Sequence, residues 1–270
     1  MGSDANKVAV VTGGASGIGE ASARRLALDG YAIAVVDINA EQAEAVTAKL
    51  SNSVDARNYA CDVSDTEALH DTADAIEADL GPVEVLVTSA GLLENSSTVM
   101  DMDVAAHDHL WKVNYYGTLH TCRAFAGPMM KRGRGAICTI GSIMSTAPSP
   151  LPAYTPSKTA ILRLTQILAV ELGRHGIRVN SVGPTYVMTP AIQARIDAGE
   201  RDPEVFKESS ALKILVKPQD VADVIAFLCS EQARVITGVH MPVDAGWTVA
   251  TPYQAYAGGM PWDRTTTGTP

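Results

Sequence analysis

Between residues 7 and 37 the chain runs apolar strand, glycine turn, amphipathic helix, apolar strand and acid, and few folds accept that order. Lys7-Val8-Ala9-Val10-Val11-Thr12 is a short β-branched run, the pattern of a strand buried on both faces. It feeds directly into Gly13-Gly14-Ala15-Ser16-Gly17-Ile18-Gly19. The next segment puts Ala23, Leu26 and Ala27 on one helical face, and Gly30 stops it. Ala32-Ile33-Ala34-Val35-Val36-Asp37 is then a second strand that ends in a carboxylate. A unit of this kind suits a dinucleotide. Its glycines let the backbone approach a pyrophosphate, and the helix start offers free amides and a positive dipole end. Asp37 is placed to accept hydrogen bonds from the adenosine ribose. The same charge repels a 2′-phosphate, and neither Ser16 nor Ile38 supplies a cation, so NAD is expected over NADP.

The alternation continues. Residues 41–50 read as a helix, and Asn58-Tyr59-Ala60-Cys61-Asp62-Val63 as a third strand. Asp62 at its end suits the adenine amino group, with Val63 beside the ring, or else a cap for the helix at 65–79. Gly81-Pro82 breaks the chain before a fourth strand, Val83-Glu84-Val85-Leu86-Val87. Thr88-Ser89-Ala90-Gly91 follows, and the smallness of Ala90 and Gly91 lets a flat ring or ribose lie against the backbone. A helix over 104–125 carries Asn114 in an apolar setting, where its amide needs a backbone carbonyl or a water. A fifth strand, 135–142, ends in the hydroxyl of Ser142. A sixth spans 177–182, a helix 219–229, and a last strand 236–244. Residues 185–215 have weak helical character, and so long a connection usually forms a lid or binding loop. With no break in composition, the pattern gives one parallel sheet covered by helices on both faces, with a domain over 1–247 and a tail over 248–270. Trp247, Tyr253, Tyr256, Met260 and Trp262 make that tail too apolar to be purely solvated, so it is expected to dock on its own or a neighbouring subunit.

Composition narrows the partners. The 270 residues carry a net charge of −9 and contain no basic block, which argues against nucleic acid and anionic membranes. No apolar run reaches the length of a membrane span, and the start lacks the apolar core of a signal peptide. Met1-Gly2 opens like a myristoylation signal, but Asn6 stands where Ser or Thr is needed. Cys61, Cys122, Cys138 and Cys229 are widely spaced, as in a reduced cytoplasmic protein. His107 and His109 lie two apart, which on a helix would put them on different faces, so no metal site is expected.

Tyr154-Thr155-Pro156-Ser157-Lys158 opens another helix, with Ala160, Ile161, Leu164, Ile167 and Leu168 in helical period behind it. Residues four apart share a face, so Tyr154 and Lys158 project together. An ammonium beside a phenol favours the phenolate, and the pair becomes a proton-transfer device for an alcohol or ketone.

Taken together, Thr12-Gly13-x-x-x-Gly17-Ile18-Gly19, Asp62-Val63, Asn114, Ser142 and Tyr154-x-x-x-Lys158 stand in the order of the short-chain dehydrogenase/reductase family, which the chain resembles over residues 7–247. The resemblance implies an α/β fold, a single Rossmann-type domain with a seven-stranded parallel sheet, in a homotetramer or a homodimer. It implies Tyr154 as catalytic base or acid, and Lys158 as the residue that binds the nicotinamide ribose and lowers the Tyr154 pKa. Ser142 would orient the substrate oxygen, and Asn114 would hold a relay water. Pro184, Val187 and Thr189 match the segment that grips the nicotinamide amide. The family's two asparagines after the fourth strand are Thr88 and Ser89 here, and a common glycine after Pro184 is Thr185.

The substrate pocket is expected between the loop 143–153, the segment 185–215 and residues after Gly91. Leu92, Leu93, Met144, Pro148, Leu151, Tyr186, Met188 and Ile192 make it mainly apolar. With no Lys or Arg among them, a strongly anionic substrate is not suggested. The reading is NAD-dependent interconversion of a secondary alcohol and a ketone of medium size, apolar or aromatic-substituted. A sugar or polyol dehydrogenase is the alternative. A 3-oxoacyl-type reductase fits less well without a basic docking surface, and a silent NAD-binding sensor would not need Tyr154 and Lys158.

Overall fold

The computed structural model describes residues 7–257, Met260 and Trp262. Seven parallel strands run β1 (Val8–Thr12), β2 (Ala32–Asp37), β3 (Ala56–Ala60), β4 (Val83–Thr88), β5 (Gly135–Ile140), β6 (Ile177–Pro184) and β7 (His240–Val243). Their order in the sheet is β3-β2-β1-β4-β5-β6-β7. The strand order therefore reverses between β1 and β4, and in open sheets of this type ligands bind above the strand ends at that reversal.

The helices divide between two faces because strand side chains alternate. Val8, Val10, Ala34 and Val36 face one way, onto α3 (Thr66–Leu80), α5 (Gly117–Arg132) and α6 (Tyr154–Gly173) through Leu69, Ile76, Phe125, Met129 and Leu168. Ala9, Val11, Ile33 and Val35 face the other way, onto α1 (Gly17–Leu28), α2 (Ala40–Leu50) and α9 (Pro218–Cys229) through Leu26, Val46, Val221 and Ile225. The four cysteines are free and buried in or beside these layers. Among the described residues no helix is long and apolar enough to cross a membrane.

Several boundaries differ from the sequence reading. β3 begins and ends earlier, so Cys61, Asp62 and Val63 leave the sheet. It is the edge strand, and it stops at Ala60 because its partner β2 ends opposite at Asp37. The helix expected over 104–125 is two segments, α4 (Val104–Trp111) and α5, joined by a π turn at Lys112–Tyr116. α5 also runs on through Gly127-Pro128, with fully buried Met129 packing its last turn on the sheet, until Gly133 at φ +71° ends it. β7 is shorter than 236–244 because Gly238, at φ +76°, turns the chain and its N–H bonds the Val179 carbonyl.

Residues 185–215 hold two short helices, α7 (Pro190–Asp197) and α8 (Pro203–Glu208). Tyr186 stacks on Phe206 at 3.7 Å between ring centroids, which ties α8 to the start of the segment. α10 (Trp247–Gln254) starts one residue before the expected tail boundary. Asp244 launches it by accepting hydrogen bonds from the Gly246 and Thr248 amides. Within the tail Met260 is buried and Tyr253 stacks on Trp262. Residues 1–6 and 263–270, parts of the domain and tail readings, lie outside the described residues.

Candidate active site

Two clefts meet above the carboxyl ends of β1, β4, β5 and β6. The first is lined by Gly13, Ser16, Gly17, Ile18, Asp37, Ile38, Asp62, Val63, Ala90, Gly91 and Lys158. The second, about 350 Å³, is lined by Ser142, Met144, Leu151, Pro184, Tyr186, Val187 and Ile192. Ile18, Leu93, Ile140, Tyr154 and Thr189 line both, so Tyr154 stands at their junction.

The first cleft is shaped for a group held by backbone. Gly13 and Gly17 take positive φ, and a Cβ on Gly13 would lie 2.6 Å from the Ala90 backbone. Ser16 stands at the N-cap of α1 without a side-chain cap, so the first amides of that helix remain available for a phosphate. Asp37 accepts from the Ala15 amide at 3.0 Å through one oxygen and from the Asn39 amide at 2.9 Å through the other. This ties the glycine turn to the end of β2 and leaves carboxylate lone pairs facing the cleft. Asp62 closes a turn onto the Ser64 amide, while Asp65 caps α3, so the helix-cap role considered for Asp62 belongs to its neighbour. The chain thus fits a nicotinamide dinucleotide. Gly19 stands outside the cleft and packs against the Gly13 carbonyl, where any side chain would collide with the turn.

The reacting groups are assembled from β5, the loop after it and α6. Ser142 leads a short 3₁₀ turn, Ile143–Ser145, and accepts the Met144 amide on its Oγ at 3.1 Å. The Ser142 amide donates to Ser145 Oγ, which donates in turn to the Lys158 carbonyl. Lys158 Nζ donates to the Ile140 carbonyl at 2.8 Å and lies 5.5 Å from the Tyr154 ring centre. Burial pushes the Tyr154 phenol up to about 12, against a hydrogen bond from Ser142 that works downward. Burial also brings the Lys158 ammonium down to about 8. The shift of the phenol is thus upward, opposite to the lowering expected from Lys158, because desolvation outweighs the Ser142 hydrogen bond.

Asn114 sits in the π turn, fully buried and outside both clefts. Its amide reads the backbone of Leu92 from both ends: Oδ1 accepts the Leu92 N–H at 2.7 Å and Nδ2 donates to the Leu92 carbonyl at 3.1 Å. The partner anticipated for it is thus a peptide group on the loop after β4. Pro184 and Val187 line the second cleft rather than the first. Met188 lines neither. Its amide bonds Val216 in a short bridge, where the chain is extended, so with Val187 and Thr189 on the clefts Met188 turns away.

Four functional-site residues escaped the sequence reading. Glu94 lines the second cleft and accepts the amides of Ala153 and Tyr154, the latter at 2.8 Å, capping α6 where Ala153 has no capping side chain. Arg195 and Arg201 line the same cleft from the segment 185–215, so the absence of cations from it is corrected. His240, beneath Ser142, donates from Nε2 to the Ser142 carbonyl at 3.1 Å and accepts the Ser181 hydroxyl on Nδ1. Glu94 directly follows Leu93, and both arginines stand in the expected lid, so three could have been found by position; His240 had no such signal.

A seven-stranded sheet in this order, with a glycine turn over one cleft and a Ser–Tyr–Lys group over the next, defines a dinucleotide-dependent oxidoreductase of the Rossmann type. The chain belongs to the short-chain dehydrogenase/reductase family: the family model described as enoyl-(acyl carrier protein) reductase matches residues 13–248. It is 36% identical over 245 residues to D-threitol dehydrogenase of Mycolicibacterium smegmatis, covering 90% of this chain and 93% of that one. It is likewise 36% identical over 251 residues to (-)-isopiperitenol/(-)-carveol dehydrogenase of Mentha piperita, with the same coverage. Among solved structures, NAD+-bound xylitol dehydrogenase superposes with a TM-score of 0.84 at 30% identity, covering 90% of this chain and all of that chain. The protein is accordingly an oxidoreductase of alcohols and ketones, with a nicotinamide cofactor expected.

Proposed function

We propose that the protein interconverts a secondary alcohol and a ketone with NAD, on a medium-sized substrate that is mainly apolar or aromatic-substituted. The observation that carries this is Tyr154 at the junction of a backbone-lined cleft and an apolar one, flanked by Ser142 and Lys158. When bound, the nicotinamide ring supplies the hydride acceptor or donor. Tyr154 Oη takes the carbinol proton in oxidation and returns one to the carbonyl oxygen in reduction. Burial favours the protonated phenol, the state needed for reduction. Oxidation needs the phenolate, which a cationic Lys158 beside the ring favours. Ser142 Oγ holds the substrate oxygen, and Asn114, by fixing Leu92, supports the wall shared with Leu93.

Asp37 at the end of β2 supports NAD over NADP. Met144, Leu151, Tyr186 and Ile192 support an apolar substrate, as does the likeness to a terpenoid alcohol dehydrogenase. A polyol substrate is the second reading, favoured by the threitol and xylitol relatives. The reading includes a homotetramer or homodimer in the cytoplasm, with the tail docked on its own or a neighbouring subunit.

The test is the initial rate of NADH formation with aryl, alicyclic, hydroxy-ester and polyol secondary alcohols, with NADP in parallel. Preference for aryl or alicyclic alcohols with NAD is expected. Activity on polyols alone would replace the apolar reading, and preference for NADP would overturn the role of Asp37.

A further inference from the structure

The second cleft is apolar around Ser142 and Tyr154, but one wall carries three charged residues, Glu94, Arg195 and Arg201. The carboxylate of Glu94 is committed to the Ala153 and Tyr154 amides at the start of α6. It does not pair with either arginine, and among the described residues neither guanidinium has a carboxylate within ion-pairing distance.

Their protein contacts are few and neutral. Arg195 Nη1 donates to the Glu94 carbonyl at 3.2 Å and to Asn95 Oδ1, which fixes the side chain across the gap between α7 and the loop after β4. Arg201 Nη1 donates to the Glu200 carbonyl at 2.8 Å. Each guanidinium has five N–H donors in a planar fork, so most of this donor set has no protein acceptor among the described residues, and both residues line the cleft. Both arginines line the second cleft and neither lines the first, which separates them from the pyrophosphate and from the adenosine ribose at Asp37.

From this we infer that the substrate carries a carboxylate, bound by Arg201 and Arg195 on the wall of the cleft, while its carbinol carbon lies at Ser142 and Tyr154. The inference rests on the alcohol–ketone reading and narrows it to hydroxy acids and oxo acids with an apolar body between the two groups. A planar carboxylate matches the arginine fork in a way a hydroxyl cannot, and desolvation by the apolar walls strengthens the pairing.

The experiment uses matched pairs that differ only in charge: 4-(1-hydroxyethyl)benzoate and its methyl ester, and 4-hydroxycyclohexanecarboxylate and its methyl ester. Each is assayed with the wild type, Arg201→Gln, Arg195→Gln and the double variant, with NAD and NADP. The acids are expected to exceed their esters in kcat/KM by about tenfold or more, mainly through KM. The double variant should lose most of that advantage, so that its kcat/KM on each acid falls to that on the matching ester. A parallel calorimetric titration with 4-acetylbenzoate and its methyl ester reads the same preference without turnover. Esters bound as well as acids in both arms, or variants that lose acid and ester equally, would overturn the subsite. Turnover of esters alone overturns the subsite and leaves the alcohol reading intact. Acid-selective binding without turnover of any alcohol does the reverse.

Discussion

Gly183→Ala tests whether the imidazole of His240 is what seats Ser142. A Cβ on Gly183 would lie 2.7 Å from His240 Cε1, and one on Gly141 would meet the same atom at the same distance. The ring therefore fills a slot that two glycines leave open between β5, β6 and β7. Both glycine positions are deep in the fold, and β6 is buried along most of its length, so the ring has little room to yield. Overpacking of this kind costs about 1–3 kcal/mol. Displacing the ring also loses the 3.1 Å bond to the Ser142 carbonyl, a further loss of about 1 kcal/mol. For a chain of this size a total near 3 kcal/mol lowers the melting temperature by roughly 6–12 °C. Removing the ring should relieve the clash, so Gly183→Ala combined with His240→Ala should be more stable than the sum of the single effects by at least about 1 kcal/mol. Urea unfolding of the wild type, both single variants and the double variant closes the cycle. Additivity within about 0.5 kcal/mol would refute the slot argument, as would a neutral Gly183→Ala.

Other substitutions probe separate parts of the site. Glu94→Ala should cost about 1–2 kcal/mol in urea unfolding by uncapping α6, and Glu94→Gln should recover part of it, since an amide oxygen still accepts but lacks the charge. Lys158→Met should abolish turnover yet melt higher at pH 7. The folded-state value of about 8, against an ordinary 10.5, means that the unfolded chain holds this proton more readily, a penalty of about 3 kcal/mol below pH 8 that fades as pH rises toward 10.5. Losing the Ile140 hydrogen bond offsets about 1 kcal/mol of the gain, so the advantage at pH 7 should be near 2 kcal/mol and vanish toward pH 10. The wild type should weaken again above pH 10, because Tyr154 ionises near 12 when folded and near 10 when unfolded. Truncation after Thr248 should change assembly or KM if the tail docks, read by light scattering and initial rates; unchanged values would refute docking.

The fold was legible because buried parallel strands leave a plain trace. Val8 to Val11 and Ala32 to Val36 are apolar throughout, and a glycine turn separates the first from its helix. β3 was misplaced because an edge strand has no such trace: Arg57 and Asn58 are exposed, and its limits come from pairing with β2. Tyr154, Lys158 and Ser142 were readable from local order. Glu94 was reachable by its place beside Leu93, but its role was not, because it caps a helix some 60 positions away in the chain. Nor was His240, whose place depends on Gly141 just after β5 and Gly183 in β6. The direction of the Tyr154 shift is set by its burial, which a Tyr-x-x-x-Lys spacing does not contain.

The π turn at Lys112–Tyr116 has a consequence for how this chain can vary in length. A π turn holds one residue more than the α-helical path it replaces. That extra residue rotates α4 by about 100° relative to α5, so the two segments present different faces while sharing an axis. Loss of any single residue between 112 and 116 would restore an unbroken α-helix and swing Asn114 away from Leu92. The loop after β4 would then lose its grip even though the composition of the helix had scarcely changed. A change of length is thus tolerated no better at the middle of this helix than at a tight turn.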